Sequence, residues 1–263
     1  MKGVPVLMYH ALEDASHPAG AKDAGEQLYI LQTDQFREQM AHLKQNGYQT
    51  FLLDELTAME TWPEKAVVLT FDDGHESNYT LALPILQQYG FKAHFFITTG
   101  WTGTPYFLAP EQIKALHEAG MGIGSHGVTH RFLPDLPENE AVSELTESRE
   151  RLSAIVGASV TSFSAPGGRI TPSLANSANK HGYSVICNSE PLLLNQKHLH
   201  TLLPRIAVRH STSIKEFSEI IVKGIPSTNY IRYYLLRTAK TWLGNKRYEY
   251  VRSLLVQHKE ISN

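Results

Sequence analysis

The sequence predicts an α/β fold in which a parallel sheet is built from βα units. Short apolar runs alternate with longer segments of helical periodicity along most of the 263 residues, a pattern typical of parallel sheets. With 42% hydrophobic and 19% charged residues, the composition is that of a globular protein. Polar clusters also follow several apolar runs, at the strand ends where such folds carry their active sites.

Seven apolar runs are predicted to be strands, because each is short and is separated from the next by helical or turn-forming segments. In chain order they are VPVLMY, VVLTF, KAHFFIT, MGIGS, SFSAP, YSVIC and RIAV. Residues 13–32, between the first two strands, are predicted to form a polar loop over the site.

Helices are predicted between the strands from their periodicity and end signals. Thr33–Asn46 carries apolar residues on one face, with Thr33 as its N-cap. The segment PEQIKALHEAG begins with Pro110, a favoured first residue of a helix. Glu138–Val156 is predicted to form a third helix that ends at Gly157. A further helix is expected over ESNYTLALPILQQYG.

The character of the chain changes near residue 214. TSIKEFSEIIVKG predicts one helix, and a basic, aromatic helical tail follows it. We therefore predict one (β/α) domain over residues 1–213 and a helical extension over 214–263 packed on the same domain. The tail suits a peripheral contact with an anionic membrane surface. It suits equally a helix that docks on the domain and exposes a solvated basic face.

Composition excludes several classes of protein. The net charge of −2 gives no reason to expect nucleic acid as a partner. A single cysteine, Cys187, excludes an intrachain disulfide framework and fits a reducing compartment. The N-terminal apolar run is too short for a signal peptide, and no stretch approaches the roughly 20 apolar residues that span a bilayer. The expected location is cytoplasmic, with the tail as a means of reaching the inner face of the membrane.

Four polar clusters follow predicted strands. They are Asp72-Asp73-Gly74 after VVLTF, His126 to His130 after MGIGS, Pro166-Gly167-Gly168 after SFSA, and His10 after VPVLMY. In folds built from βα units the C-terminal ends of all strands open on one face, and that face carries the active site. The adjacent carboxylates Asp72 and Asp73 are therefore expected to face a shared polar site.

The histidines of the second cluster have the spacing of metal ligands. His126 and His130 are four residues apart, and with one carboxylate they make the two-histidine, one-acid set of many catalytic zinc sites. A zincin-type metalloprotease is excluded, because its general-base glutamate directly follows the first histidine. That position is Gly127 here, so the aspartate pair must supply the base.

These motifs resemble a known family. TFDDG, SHxxxH and a Pro-Gly turn, in this order and spacing, resemble the NodB-homology polysaccharide deacetylases, which are metal-dependent de-N-acetylases on a distorted (β/α) barrel. The resemblance covers roughly residues 4–210. PVLMYH and PRIAV also resemble the branch that contains the poly-N-acetylglucosamine deacetylases. The resemblance to this family implies a distorted (β/α) barrel of about seven parallel strands.

The resemblance implies a metal centre and a base. Asp73, His126 and His130 would hold a divalent cation, preferentially Zn²⁺, with Co²⁺, Ni²⁺ or Mn²⁺ as alternatives. Asp72 would be the general base. The division is physically reasonable, because the cation neutralises one carboxylate and leaves its neighbour free to take a proton from a water whose pKa the cation lowers.

The resemblance also implies how the other reacting groups are handled. The backbone N–H of Gly167, in the turn that Pro166 opens, would stabilise the developing oxyanion. In the branch with PVLxYH the N-terminal histidine, here His10, would protonate the leaving amine; His210 is the rival for this role. Trp101 is placed to stack on a sugar ring, with ordinary packing as the alternative.

The chain departs from the family pattern in two places. An arginine normally opens the third motif and orients the catalytic aspartate, and here that position is Ser164. Arg169, just after the Pro-Gly-Gly turn, is one candidate for this task, with a surface charge as the alternative. Arg205 either pairs with a site carboxylate or is also a surface charge. The aspartate–tryptophan motif of the family is not evident.

The sequence thus predicts a metal-dependent hydrolase that removes an N-acetyl group from an amino sugar. The substrate is expected to be a glycan or its lipid- or nucleotide-linked precursor. Two alternatives stay open: a metal-dependent amidohydrolase on a non-sugar amide, and a non-catalytic glycan-binding or assembly protein on the same fold.

Overall fold

The structure is a computed structural model that describes residues 3–21, 23–199 and 202–225. These residues form ten strands: β1 (Val6–Tyr9), β2 (Ala11–Glu13), β3 (Ile30–Gln32), β4 (Gln49–Thr50), β5 (Ala66–Phe71), β6 (His94–Ile97), β7 (Gly122–Ser125), β8 (Ser162–Ser164), β9 (Val185–Cys187) and β10 (Ile206–Ala207). Each of the seven predicted strands is among them.

Seven strands form one parallel sheet in the order β10-β1-β5-β6-β7-β8-β9, and β4 pairs with the first residues of β5. Beyond β9, Leu203 bridges to Cys187, while Ile206 pairs with Leu7 in β1. The segment from Leu203 to Ile206 therefore contacts β9 at its start and β1 at its end, and so closes the sheet into a distorted (β/α) barrel. The predicted fold class is confirmed.

The described helices surround this sheet. They are α1 (Ala24–Gln27), α2 (Thr33–Gln45), α3 (Leu53–Thr57), α4 (Leu83–Tyr89), α5 (Pro110–Glu118), α6 (Glu138–Val156), α7 (Pro172–Lys180) and α8 (Ile214–Lys223). The predicted bounds of α6 are confirmed, and α2 ends one residue before its predicted end. The helix predicted over ESNYTLALPILQQYG is present as a π-helical turn over Asn78–Ala82 that continues into α4.

Burial explains why these segments fold as they do. All six residues of β5 are buried, as expected for a parallel strand covered on both faces. Helix α2 buries Phe36, Met40 and Leu43 completely on its apolar face. Each such side chain contributes about 1.5–3 kcal/mol relative to exposure. The ring of Phe36 meets the ring of Tyr9 edge-on at 5.3 Å, which fixes α2 against the sheet.

Residues 13–32 differ from their prediction as a loop. They contain α1 and end in β3, which pairs in parallel with β2. The apolar pair Ile30 and Leu31 is buried, but a run this short does not distinguish a strand from a loop in the sequence. Thr33 is not the N-cap of α2: Gln32 holds that position, and the Thr33 hydroxyl donates to the Glu13 carbonyl oxygen at 3.0 Å instead.

The predicted extension is described only in its first part. Helix α8 is confirmed and packs on α2 through Phe217 and His42, whose rings are 6.2 Å apart. The rest of the extension, residues 226–263, lies outside the described residues, so the predicted helical tail and its membrane contact stay predictions, as does the boundary at 213. No helix in the described part is long and apolar enough to cross a bilayer.

Candidate functional site

The predicted polar clusters meet at the C-terminal rim of the sheet. The backbone N–H of Asp72 donates to the carbonyl oxygen of Tyr9 at 2.9 Å, so the acid pair lies beside the end of β1. The N–H of His126 donates to the carbonyl oxygen of Ile97 at 2.9 Å, beside the end of β6. Parallel register thus places the acid pair and the histidine loop on the same side of the molecule.

Three side chains converge on this rim. Asp73 Oδ1 lies 3.4 Å from His126 Nε2 and 3.3 Å from His130 Nε2. Within the described part of the chain, this is the one group of three His, Cys, Asp or Glu residues whose ligand atoms lie within 4.8 Å of one another. Asp73 Oδ1 is buried and has no hydrogen-bond partner among the residues that the structure describes.

The spacing of these atoms fits a zinc-sized cation. Two donors bound at about 2.0–2.1 Å to a tetrahedral zinc ion are about 3.3–3.4 Å apart, and both measured separations fall in this range. Two imidazoles and one carboxylate also form a donor set of catalytic zinc sites. The unsatisfied oxygen of Asp73 is explained if it is a ligand atom.

The backbone holds two of these residues in an unusual conformation. Asp73 has φ of 75° and His130 has φ of 60°, both in the left-handed region. A non-glycine residue there costs on the order of 1–3 kcal/mol, and such residues persist where the surrounding structure fixes them. The fold therefore stabilises the convergent geometry against the local preference of both residues.

His126 is fixed in the tautomer that a metal ligand needs. Its Nδ1 donates to the carbonyl oxygen of Ser164 at 2.7 Å, which leaves the lone pair on Nε2 directed towards Asp73. Burial lowers the pKa of His126 to about 4, so the ring is neutral near pH 7. A backbone carbonyl that accepts from the second ring nitrogen is the usual outer partner of a histidine ligand.

Asp72 does not point into this cluster of candidate ligands but is held beside it by an arginine. Arg205 donates from Nη1 to Oδ1 and from Nη2 to Oδ2 of Asp72, both at 2.7 Å. Arg205 is fully buried, and its other donors reach the Asn188 carbonyl oxygen and the hydroxyls of Thr70 and Ser164. A bidentate pair of this kind fixes both the position and the orientation of a carboxylate.

Arg205 is therefore the arginine that holds Asp72, whereas the terminal nitrogens of Arg169 donate to Asp135. The hydroxyl of Ser164, which stands where the family has its arginine, donates to Asp72 Oδ2 at 3.2 Å and accepts from Arg205. Arg205 reaches this point because it lies in the segment that closes the barrel between β9 and β10. The prediction that Arg205 pairs with a site carboxylate is confirmed.

Opposing effects set the pKa values of the two acids. Burial alone raises the pKa of Asp72, but the positive charge and the hydrogen bonds of Arg205 outweigh it and hold the pKa below its usual value. Burial also raises the pKa of Asp73, and His130 with its neighbouring histidines brings it well below the usual range. Both carboxylates are therefore ionised at neutral pH.

His10 lies beside the acid pair. Its ring packs against Tyr29 with centroids 4.7 Å apart, and its buried Nδ1 has no hydrogen-bond partner among the described residues. Its charge contributes to the lowered pKa of both aspartates. The rival His210 is exposed, and its Nδ1 lies 3.3 Å from the carbonyl oxygen of Leu28.

The Pro-Gly-Gly turn at the end of β8 requires glycine at its centre. Pro166 is buried, and Gly167 has φ of 61°; a Cβ there would lie 2.6 Å from the ring of Phe132. Arg169 covers that same ring at 4.8 Å and donates from both terminal nitrogens to Asp135 at 3.0 Å. Arg169 thus joins this turn to the loop that follows the histidines.

Trp101 borders the site from the other side. Its ring lies 5.0 Å from that of His130 and 4.7 Å from that of Phe107. The indole is partly exposed, so one part of it packs against a candidate ligand while another part faces solvent. The predicted contact of Trp101 with a sugar stays a prediction.

The structure identifies Arg205 as the partner of Asp72, which the sequence alone left open. A signal was present: Arg205 interrupts the apolar run LLPRIAV, and a charge inside such a run needs a buried partner. The sequence does not reveal which carboxylate that partner is, because the contact joins residues 133 positions apart. Tyr29, which packs on His10, was hidden in the segment predicted as a loop.

Comparison with known proteins gives related sequences. The family described as polysaccharide deacetylase matches residues 60–186, which include Asp72 and the three convergent residues but not His10 or Arg205. The polysaccharide deacetylase homologue YxkH of Bacillus subtilis is 31% identical over 222 residues, 83% of this chain and 76% of YxkH. The poly-β-1,6-N-acetyl-D-glucosamine N-deacetylase of Escherichia coli K12 is 26% identical over 268 residues, 84% of this chain but 38% of that protein.

A solved structure has a similar fold. The deacetylase PplD of Streptococcus pyogenes, in complex with acetate, superposes with a TM-score of 0.74 at 26% identity. The match covers 83% of this chain and 98% of PplD.

Proposed function

The chain belongs to the polysaccharide deacetylase family, and from this premise we propose that it is a metal-dependent hydrolase that removes the N-acetyl group of an amino sugar. The observation that carries the proposal is the approach of Asp73 Oδ1 to both His126 Nε2 and His130 Nε2 within 3.4 Å. Asp72 stands beside them as a separate carboxylate, bound to Arg205.

The metal we propose is Zn²⁺, with Co²⁺, Ni²⁺ or Mn²⁺ as alternatives, held by Asp73, His126 and His130. A bound cation of this kind supplies Lewis-acid chemistry, lowering the pKa of a water and polarising an amide carbonyl. The neutral His126 and the ionised Asp73 are in the protonation states that ligands require.

Asp72 is the proposed general base. Its low pKa makes it a weak base, so it accepts a proton efficiently only from a water that has itself become acidic. Arg205 keeps the carboxylate from rotating and supports its charge before the transfer. Oδ2, which also accepts from Ser164, lies 3.9 Å from His126 Nε2 and is the oxygen nearer the ligands.

The remaining steps are assigned to the rim around this pair. The backbone N–H of Gly167 is proposed to donate to the oxyanion that develops from the acetamide carbonyl. His10 is proposed to give its proton to the leaving amine, since it lies beside the acid pair whereas His210 is exposed. Three side chains are proposed to line the path of the sugar: Trp101 on one side of the site, and Pro166 and Arg169 on the other.

For the substrate we propose an N-acetylglucosamine unit of a glycan, or the same sugar on a lipid or nucleotide carrier. The Escherichia coli relative is named for poly-β-1,6-N-acetyl-D-glucosamine. The polymer and the two carrier-linked precursors share the same acetamido sugar. Acetate release measured separately from N-acetylglucosamine oligomers, from a lipid-linked sugar and from a nucleotide-linked sugar distinguishes these substrates. The cytoplasmic location and the contact of the tail with the membrane are further proposals, and deleting residues 226–263 tests the latter.

Asp72→Asn tests the proposal, because it removes the base and retains the ligands. We expect turnover to fall about 10²–10⁴-fold, with about one zinc ion per chain retained by elemental analysis. Asp54→Asn, at the opposite end of the sheet, is the matched control and should keep wild-type turnover. Full turnover in Asp72→Asn would contradict the assignment of the base.

The wild-type protein separates the alternatives. Acetate release from simple amides but not from N-acetylated sugars would favour the non-sugar amidohydrolase. Zinc binding without turnover on any substrate would favour a glycan-binding protein that has kept the fold.

A further inference from the structure

The loop that carries both histidine ligands is attached to helix α6 by one carboxylate. Glu144 Oε2 accepts from the backbone N–H of Val128 at 2.6 Å and from that of Thr129 at 2.9 Å. Glu144 Oε1 accepts from the Thr129 hydroxyl. The carboxylate therefore binds the two residues that precede His130.

Glu144 occupies a position that is otherwise apolar or small. It is 3% exposed and lies on the buried face of α6, with Ala141, Leu145 and Ser148 on the same face. A buried carboxylate is costly unless hydrogen bonds satisfy it. Within the described residues, the polar partners of this carboxylate all lie in residues 128–131, including Arg131 Nη2 at 3.8 Å.

The contact determines the path of the loop. Gly127 has φ of 82°, and a Cβ there would lie 2.9 Å from Glu144 Oε2, so the chain approaches the carboxylate as closely as glycine allows. Two successive backbone N–H groups that point to one anion form an anion-binding nest, and Glu144 Oε2 occupies it here. His130 directly follows Thr129, and its left-handed φ of 60° is one that the free chain does not favour.

We propose that Glu144 is a positioning residue for the metal centre. By holding Val128 and Thr129, it keeps His130 in the left-handed conformation that brings Nε2 within 3.3 Å of Asp73 Oδ1. The ligands are then arranged before a cation arrives, so that binding does not have to order the loop. The inference rests on the proposed function only through its metal site and is independent of the substrate.

Zinc affinity tests this role, measured on the full-length apoprotein by competition with a chromophoric chelator. Glu144→Ala leaves both N–H groups without their acceptor, and we expect zinc affinity to fall about 10–100-fold, as for other outer partners of metal ligands. Glu144→Gln keeps an oxygen that can accept from both N–H groups, and its affinity should stay within a few-fold of wild type. The absorption spectrum of the Co²⁺ form should change in Glu144→Ala and not in Glu144→Gln.

Two control variants separate positioning from general stability. Tyr183→Phe removes a hydroxyl that donates to the Leu145 carbonyl oxygen at 2.9 Å and lies 3.3 Å from the Ser148 hydroxyl. It weakens the anchoring of α6 and keeps every bond of Glu144 to Val128 and Thr129. Glu140→Gln, on the same helix as Glu144, removes an exposed ion pair with Arg131 of the loop. Both should bind zinc as the wild type does, whatever their effect on thermal unfolding of the apoprotein.

The outcomes are distinct. Wild-type affinity in Glu144→Ala, or an equal loss in Tyr183→Phe at equal destabilisation, would overturn the positioning role. If Glu144→Ala does not fold, Thr129→Val decides the matter. It removes the bond to Oε1, together with an exposed bond from Arg131 Nε, and keeps both backbone bonds to Oε2. We expect zinc affinity to fall several-fold, and unchanged affinity would overturn the inference. A wild-type protein that binds no zinc would instead contradict the proposed function.

Discussion

The two ends of the sheet each bury a histidine, and the comparison shows how a histidine in the candidate site differs from one that is only packed in the core. His94 begins β6 and is 3% exposed; His126 follows β7 at the opposite end and is 2% exposed. Burial lowers the pKa of both to about 4. By burial and pKa alone, the two residues are indistinguishable.

Their neighbours make the difference. His94 Nε2 lies 2.6 Å from the hydroxyl of Ser162, a neutral partner at the start of β8. His126 Nε2 faces a carboxylate oxygen of Asp73, and the ring of His130 lies 5.0 Å away. A shifted pKa therefore indicates burial, whereas convergence of several donors on one point indicates a site.

The largest expected effect comes from exchanging each histidine for alanine. His126→Ala removes a proposed ligand, and zinc affinity should fall by more than the roughly 10–100-fold typical of an outer partner. His94→Ala should lower the free energy of unfolding by roughly 1–3 kcal/mol, as for other buried hydrogen-bonded residues, and leave zinc affinity unchanged. Chelator competition and urea denaturation measure the two quantities. Equal zinc affinity in the two variants would contradict the assignment of His126, and not His94, to the metal site.

A second pair of variants compares two arginines near the rim. Arg205→Met leaves Asp72 buried and unpaired, which should cost about 3–5 kcal/mol of unfolding free energy and lower kcat through the loss of orientation. Arg169→Met removes a partly exposed pair with Asp135, worth about 0–1 kcal/mol. A similar small cost for both, with unchanged kcat in Arg205→Met, would contradict the assignment of Arg205 as the orienting residue.

The contrast between these arginines also shows how far the sequence leads. Strand periodicity and the polar residues after each strand predict the sheet, the rim and the residues that converge on it, because these depend on local pattern and on one topological rule. Arg205 reaches Asp72 only because the barrel closes between β9 and β1. Glu144 reaches the histidine loop across the packing of α6. Neither contact is encoded in a local pattern.

The stability of the protein is also expected to depend on pH through His94, by less than the loss of Arg205 costs. The pKa of His94 is about 4 in the folded protein because burial lowers it, with a smaller opposing effect from Asp54, and it is about 6.5 in the unfolded chain. Below pH 6.5 the unfolded chain binds more protons, so stability is lost as the pH falls towards 4. Between pH 7 and 5 this loss amounts to about 2 kcal/mol.

His94→Gln tests this origin, because it keeps a hydrogen-bonding side chain that does not titrate. The unfolding free energy of the metal-free variant, measured in urea at both pH values, should decrease by about 2 kcal/mol less than that of the wild type. An identical decrease in both proteins would show that His94 is not the group that titrates.

A crystal structure of the zinc-loaded protein, with anomalous data at the zinc edge, tests the central claim most directly. We expect a single anomalous peak at about 2.0–2.2 Å from Asp73 Oδ1, His126 Nε2 and His130 Nε2, with Asp72 still bound to Arg205 and outside the ligand set. A peak elsewhere, or the three side chains directed apart with the rim empty, would contradict it.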